Sequence, residues 1–141
     1  MEIPLSLLQD RALVEDVFAS IDAMVLPSAS ALFGVPLTTL SLKDVFVIKY
    51  DAADARHAGL EPHVDGAAYS FNTVLCAQGE AFEGGSTAFE CLGWGRPLQP
   101  GVGDALLHAG ELMHSGVAVT RGVRFVLVGF VRLNPHAQAA G

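Results

Sequence analysis

Charge is scarce in this 141-residue chain: Asp, Glu, Lys and Arg together make 16% of it, and only eight residues are Lys or Arg. Fifteen acidic residues leave a net charge of −7. Neutralising phosphates takes clustered Lys and Arg, and no such cluster is present, which argues against a nucleic-acid or anionic-membrane partner. Cysteine is scarce too. Cys76 and Cys91 form neither a disulfide framework nor a zinc motif, and the expectation is two reduced or buried thiols. No apolar run reaches the length of a membrane span. The opening MEIPLSLLQDRALVED carries acidic residues and lacks the uninterrupted apolar core of a signal peptide, so a cytoplasmic protein is expected.

What is abundant is apolar residues, 51% of the chain, enough for one well-filled domain over 1–141 and too many for a disordered segment. Leu5, Leu8, Ala12, Val17, Ile21 and Met24 recur at spacings of three to five and predict an amphipathic helix over 5–25, ended by Pro27. A second helical piece or loop runs to about 41, so that 1–41 forms a helical support for a core over 44–134. In that core DVFVIKY (44–50), YSFNTVLC (69–76), TAFE (87–90), DALLH (104–108), ELMHSGVAVT (111–120) and VRFVLVGFV (123–131) are short β-rich runs. Glycine-bearing segments, EGGS, GWGRP, QPGVGD and TRG, separate them. This pattern predicts a mainly β sandwich or barrel.

Chemistry enters with EPHVDG (61–66). On one strand His63 and Asp65 share a face, a chelating pair. Of the five histidines, His57 sits in a polar loop and His136 in the tail, both expected in solvent; His108 and His114 compete to be a third ligand. With TRG (120–122) as a three-residue hairpin turn, Val119 opposes Val123 and Ala118 opposes Arg124. His114, Gly116, Ala118 and Arg124 then share a face, with Arg124 roughly 13 Å along from His114. An arginine in an apolar strand needs a carboxylate partner if buried. It is either an edge residue in solvent, the partner of an internal acid, or the anchor of a small dicarboxylic acid whose other end lies on a metal. Two histidines and a carboxylate with open positions suit non-haem Fe(II) oxygenases; zinc with the same set suits hydrolysis. Alternation puts Val126 and Val128 on the face of Arg124, Val74 on that of Asn72 and Phe46 on that of Tyr50, a candidate apolar lining.

Five segments occur together and in order: FVIKY (46–50), L-x-P-H-x-D (60–65), EGG-x-x-x-F (83–89), H-x-G-x-x-V-T-x-G-x-R (114–124) and the strand that follows. From about Val45 to Asn134 the chain resembles the 2-oxoglutarate- and Fe(II)-dependent dioxygenases of the prolyl 4-hydroxylase and procollagen lysyl hydroxylase type. The resemblance implies a double-stranded β-helix, or jelly roll, flanked by N-terminal helices. It implies His63, Asp65 and His114 as iron ligands, Arg124 as the partner of the distal 2-oxoglutarate carboxylate, and Tyr50 and Asn72 as further cosubstrate contacts. It implies O2 as co-reactant, ascorbate as an accessory reductant, succinate and CO2 as products, and hydroxylation of a prolyl or lysyl side chain in a peptide or as the free amino acid. The plainer readings of Tyr50 and Asn72 are a strand-end residue with a wet hydroxyl and a polar-face strand residue. Gly84 and Gly85 are read as a turn needing positive φ, Thr87 and Phe89 as packing, and Trp94 as either a substrate lip or an aromatic buried by a turn. The chain departs from the family at Leu60, where prolyl hydroxylases often carry tyrosine, in the loop 51–60, and in its short length. A cupin-like zinc or manganese jelly-roll enzyme, or a non-catalytic jelly-roll binding module, is the alternative.

Overall fold

Strands alternate their side chains, so a strand covered on both faces must be apolar at both parities. The middle of this chain is built that way. The computed structural model describes residues 1–136. Seven antiparallel strands follow in chain order: β1 (Glu2–Pro4), β2 (Leu40–Asp51), β3 (Leu60–His63), β4 (Tyr69–Val74), β5 (Phe82–Phe89), β6 (Ala105–Ala109) and β7 (His114–Leu133). The larger sheet runs β1-β2-β7-β4-β6, while β3 and β5 pair with the first part of β7. Of the tail expected to fray, HAQAAG, His136 is exposed and 137–141 lie outside the described residues.

On the outer face of the larger sheet, Leu40, Val45, Phe71 and Val131 pack with Leu5, Ile21, Leu26 and Ala29 from the N-terminal segment. On the inner face, Phe46, Ile48, Tyr50, Val74 and Val126 meet Phe82 and Val119 from the smaller sheet. The opposite parities in β2, Val45 outward and Phe46, Ile48 and Tyr50 inward, are the alternation made visible.

The helical segment runs further than its sequence suggests. Helix α1 (Arg11–Ser20) starts at Asp10, whose Oδ1 accepts from the Leu13 amide at 3.0 Å. It passes through a π turn (Ile21–Val25) into α2 (Leu26–Phe33) and stops at Gly34, at φ 66°. Pro27 does not end it. Proline lacks an N–H and crowds the preceding turn, and the wider π turn just before it absorbs both defects. That turn also rotates the buried face: Met24 points to solvent, while Leu26 and Ala29 rest on the sheet. The resulting helix, Arg11–Phe33, is by length and composition alone long and apolar enough to cross a membrane, contrary to the expectation that no run is.

Three further expectations are corrected. TRG is not a hairpin turn. Strand β7 is continuous through it, and Arg124 lies opposite Tyr50 of β2, Val119 opposite Gly84 of β5. Thr120 is an unpaired extra residue and Gly122 takes φ 75°, so the strand turns a corner and passes from one sheet to the other. Ala118 is exposed and does not line the cavity that His114 lines. Third, His63 and Asp65 do not share a strand: β3 ends at His63, and Asp65 is held by its amide bonding to Gly110 O at 2.9 Å.

The outer core leaves room for a full ring at one point. A Cβ on Gly129 would lie 2.2 Å from two atoms of the Phe71 ring, and Phe71 is 1% exposed. Gly129→Ala is therefore expected to lower unfolding free energy by about 1–3 kcal/mol, read by urea denaturation. Unchanged stability would mean Phe71 has room to move.

Candidate metal and cosubstrate site

Between the two sheets lies a cavity of about 420 Å³. Strand β2 supplies Phe46, Ile48 and Tyr50 to its wall, β4 supplies Ser70 and Asn72, and β7 supplies His114, Gly116, Arg124, Val126, Val128 and Phe130. His63, Val64 and Asp65 close the side formed by β3 and the residues after it. Val74 packs beneath the lining rather than on it.

One end gathers ionisable side chains. His63, Asp65 and His114 each offer a ligand atom, all within 4.8 Å of one another. His63 Nε2 lies 3.5 Å from Asp65 Oδ1, His114 Nε2 3.6 Å from Oδ2. His108, the competitor for third place, is in the same cluster, its Nε2 3.9 Å from Asp65 Oδ2. The imidazole orientations are set by backbone. The Nδ1 of His63 meets Glu61 O at 2.7 Å, that of His108 meets Ala109 O at 2.8 Å, and that of His114 meets Leu112 O at 2.8 Å. Burial lowers the pKa of His108 below its ordinary 6.5, with the Ala109 carbonyl opposing and His114 adding to the shift. His57 stands apart, in the 51–60 loop, with Nδ1 2.7 Å from Asp54.

The other end is a buried cation. Arg124 is 2% exposed, and its Nε and Nη2 have no hydrogen-bond partner. Neither the solvent-edge reading nor the internal-acid reading holds: among the described residues it makes no salt bridge. Its Cζ stands 5.6 Å from the Tyr50 ring centre and 5.9 Å from that of Phe82. Desolvation pushes its pKa down and that of Tyr50 up. Gly85, at φ 60°, lets the arginine lie where it does, since a Cβ there would meet Arg124 Cδ at 2.9 Å. Gly84 is also at positive φ, as its sequence context suggested, but both glycines lie within β5, beside its register shift, and not in a turn between strands.

Between the two ends Asn72 Oδ1 is buried without a partner, and so is Ser70 Oγ. Ser70 was missed in the sequence. Its signal was alternation, since Ser70, Asn72 and Val74 share the inner parity of β4. Glu2 lines the cavity from β1, a three-residue strand too short for any periodicity to reveal. Phe89 packs as expected, whereas Thr87 is buried but also lines the cavity. Trp94 is 42% exposed, so the turn around it does not bury the ring. Cys76 is half-buried and Cys91 exposed, both free thiols.

No family model matches the chain. It is 36% identical over 91 residues to the multifunctional procollagen lysine hydroxylase and glycosyltransferase LH3 of Rattus norvegicus, covering 61% of this chain and 12% of that protein. It is 32% identical over 110 residues to procollagen-lysine,2-oxoglutarate 5-dioxygenase 1 of Mus musculus, covering 76% and 15%. The chain thus spans only a small part of these relatives' length. In structure it resembles the viral collagen prolyl hydroxylase of Paramecium Bursaria Chlorella virus-1 in its 2OG complex, at TM-score 0.67 and 18% identity, over 94% of this chain and 77% of that one. A 2OG-Fe(II) oxygenase family oxidoreductase from Burkholderia pseudomallei gives TM-score 0.64 at 20% identity, over 84% and 55%. By its fold this chain is a jelly roll with N-terminal helices, and by its sequence it is a relative of the 2-oxoglutarate-dependent procollagen lysyl hydroxylases.

Proposed function

We propose that the chain is an Fe(II)- and 2-oxoglutarate-dependent dioxygenase that hydroxylates an unactivated C–H, of a prolyl or lysyl side chain in a peptide or of the free amino acid, releasing succinate and CO2. The observation that carries this reading is Arg124, a buried guanidinium with two unpaired nitrogens in the cavity that also gathers His63, Asp65 and His114. An uncompensated buried charge costs several kcal/mol, and an anionic cosubstrate removes that cost. The residues fit both groups. Two imidazoles and one carboxylate leave positions open for a chelating 2-oxo acid, the donor set of non-haem Fe(II) oxygenases.

In this reading His63, Asp65 and His114 hold Fe(II), which when bound supplies the O2 chemistry that couples oxidative decarboxylation to hydroxylation. Arg124 receives the distal carboxylate of 2-oxoglutarate through charge-assisted hydrogen bonds. The Tyr50 hydroxyl stands beside Gly116, where a Cβ would lie only 3.0 Å from it, and is available to the same carboxylate. Asn72 offers its amide partway along the wall. Phe46, Val126 and Val128 keep that wall dry, which strengthens each polar contact within it. The peptide substrate is inferred from the relatives, which are named as procollagen hydroxylases.

Anaerobic addition of Fe(II) and then 2-oxoglutarate is expected to give a weak visible charge-transfer band only when both are present, and none in His114→Ala. Tight binding of zinc or manganese with no such band would overturn the reading and favour a cupin-like metal enzyme. Arg124→Ala removes a charge-assisted partner worth about 1.5–3 kcal/mol, so the 2-oxoglutarate dissociation constant is expected to rise roughly 10- to 150-fold. An unchanged constant would free Arg124 of this role. His63→Ala or Asp65→Ala is expected to abolish succinate formation while circular dichroism and the melting transition persist.

A further inference from the structure

A third histidine faces the metal cluster, and neither the facial set of ligands nor the cosubstrate contacts uses it. We infer that His108 is an additional nitrogen donor to a divalent metal held by His63, Asp65 and His114, and that it yields its place when 2-oxoglutarate binds.

The case begins with tautomers. A backbone carbonyl only accepts, so a neutral imidazole whose Nδ1 lies 2.7–2.8 Å from one must carry its proton there. His63, His108 and His114 all do. Each is left with a lone pair on Nε2, the form that binds metals, and a carbonyl on the opposite nitrogen is the usual support for a ligating imidazole.

The three lone pairs converge. Their Nε2 atoms lie 3.5, 3.9 and 3.6 Å from the Asp65 carboxylate for His63, His108 and His114. A carboxylate oxygen and an imidazole lone pair repel; a cation between them reverses the sign. The rings are disposed alike. His114 has His63 on one contact at 4.4 Å between ring centres and His108 on another at 4.6 Å.

The backbone fixes His108 where it is. Next to it, Gly110 O accepts from the Asp65 amide and the Gly110 amide donates to Ala68 O, both at 2.9 Å, so the end of β6 is stitched to the segment carrying Asp65. The edge of the Phe89–His108 pair, 5.0 Å between centres, closes the other side. His108 is 6% exposed.

His108 also stands slightly further out than the other three, since it is not among the side chains whose ligand atoms all fall within 4.8 Å. That makes it a displaceable donor rather than a resident one. A chelating 2-oxo acid needs two positions, and an outer, more distant nitrogen is the one that gives way. The displacement arm rests on the oxygenase reading; the metal arm does not.

The test uses Co(II) as the probe, with affinity read by chelator competition and donor set by the visible d–d spectrum. Wild type, His108→Phe and His108→Gln are compared, each with and without saturating 2-oxoglutarate. Without it, His108→Phe is expected to weaken Co(II) binding about 10- to 100-fold and to change the spectrum. With it, the gap is expected to close, and by linkage 2-oxoglutarate binds the Co(II) form of the variant more tightly than the wild type. Should His108→Phe not fold, as judged by near-UV circular dichroism, His108→Gln carries the same comparison. Equal Co(II) affinity and spectra in wild type and variant would overturn the inference. A gap that stays unchanged although 2-oxoglutarate binds the Co(II) protein would overturn the inference too, because His108 then does not yield its place. If 2-oxoglutarate fails to bind the wild-type Co(II) protein at all, the oxygenase reading falls, while a spectral and affinity change in His108→Phe still establishes the extra donor.

Discussion

One strand holds the two ends of this site together. Strand β7 starts at His114 in the smaller sheet and continues past Arg124 in the larger one. The His114 imidazole, clustered with His63 and Asp65, and the buried Arg124 guanidinium are thereby placed on opposite sides of a single corner. The corner rests on the unpaired Thr120 and on Gly122 at φ 75°. Along the strand the inward positions are His114 and Gly116, then Val119, then Arg124, Val126 and Val128. Pairing with β5 keeps one register from His114 to Val119 and shifts once, at Thr120. Beyond the corner the strand pairs with β2 and β4, and the His114 and Arg124 side chains end up lining the same cavity.

The cavity so formed is electrostatically unfinished at both ends. At one, a carboxylate faces three imidazole lone pairs, an arrangement that repels itself and is relieved by a cation. At the other, a guanidinium is buried against Tyr50 and Phe82 with no anion to match it among the described residues. Cation–π attraction to those rings contributes at most a couple of kcal/mol, less than the several that burying the charge costs. A protein gains nothing in stability from either arrangement. Both become favourable when a metal and an anionic molecule are brought in, and each then strengthens the other, because the intervening wall of Phe46, Val126 and Val128 excludes water.

Much of this was legible in the residues, and the failures have definite causes. The middle of β2 and the second half of β7 are apolar at both parities, since helices cover one face and the cavity lies on the other, whereas β4 turns Ser70 and Asn72 to the cavity. The residues themselves brought forward His63, Asp65, Arg124 and a choice between His108 and His114, and the family resemblance settled on His114 and added Tyr50 and Asn72; all of these line one cavity. Their roles there are proposals that only binding experiments decide. The corner of β7 was illegible because Thr-Arg-Gly is ordinary turn chemistry, and nothing local distinguishes a strand that reverses from one that bends. The parity argument still placed Arg124 on the correct face, but through a wrong pairing. Pro27 misled in the same way: a proline usually ends a helix, and only the π turn before it lets this one continue.

If the proposed anionic cosubstrate binds here, its selection over other small acids would rest on how the charged groups of the cavity are held. Arg124 offers charge at a fixed place, and its shank lies in a slot that only Gly85 leaves open. The Asp65 and His108 segments are joined through Gly110. Asn72 and Ser70 add buried oxygens without partners among the described residues to the same cavity wall. A molecule too short leaves one end unmatched and retains that end's desolvation cost. Discrimination of this kind comes from unpaired groups in the wrong complex, a larger effect than any extra contact in the right one.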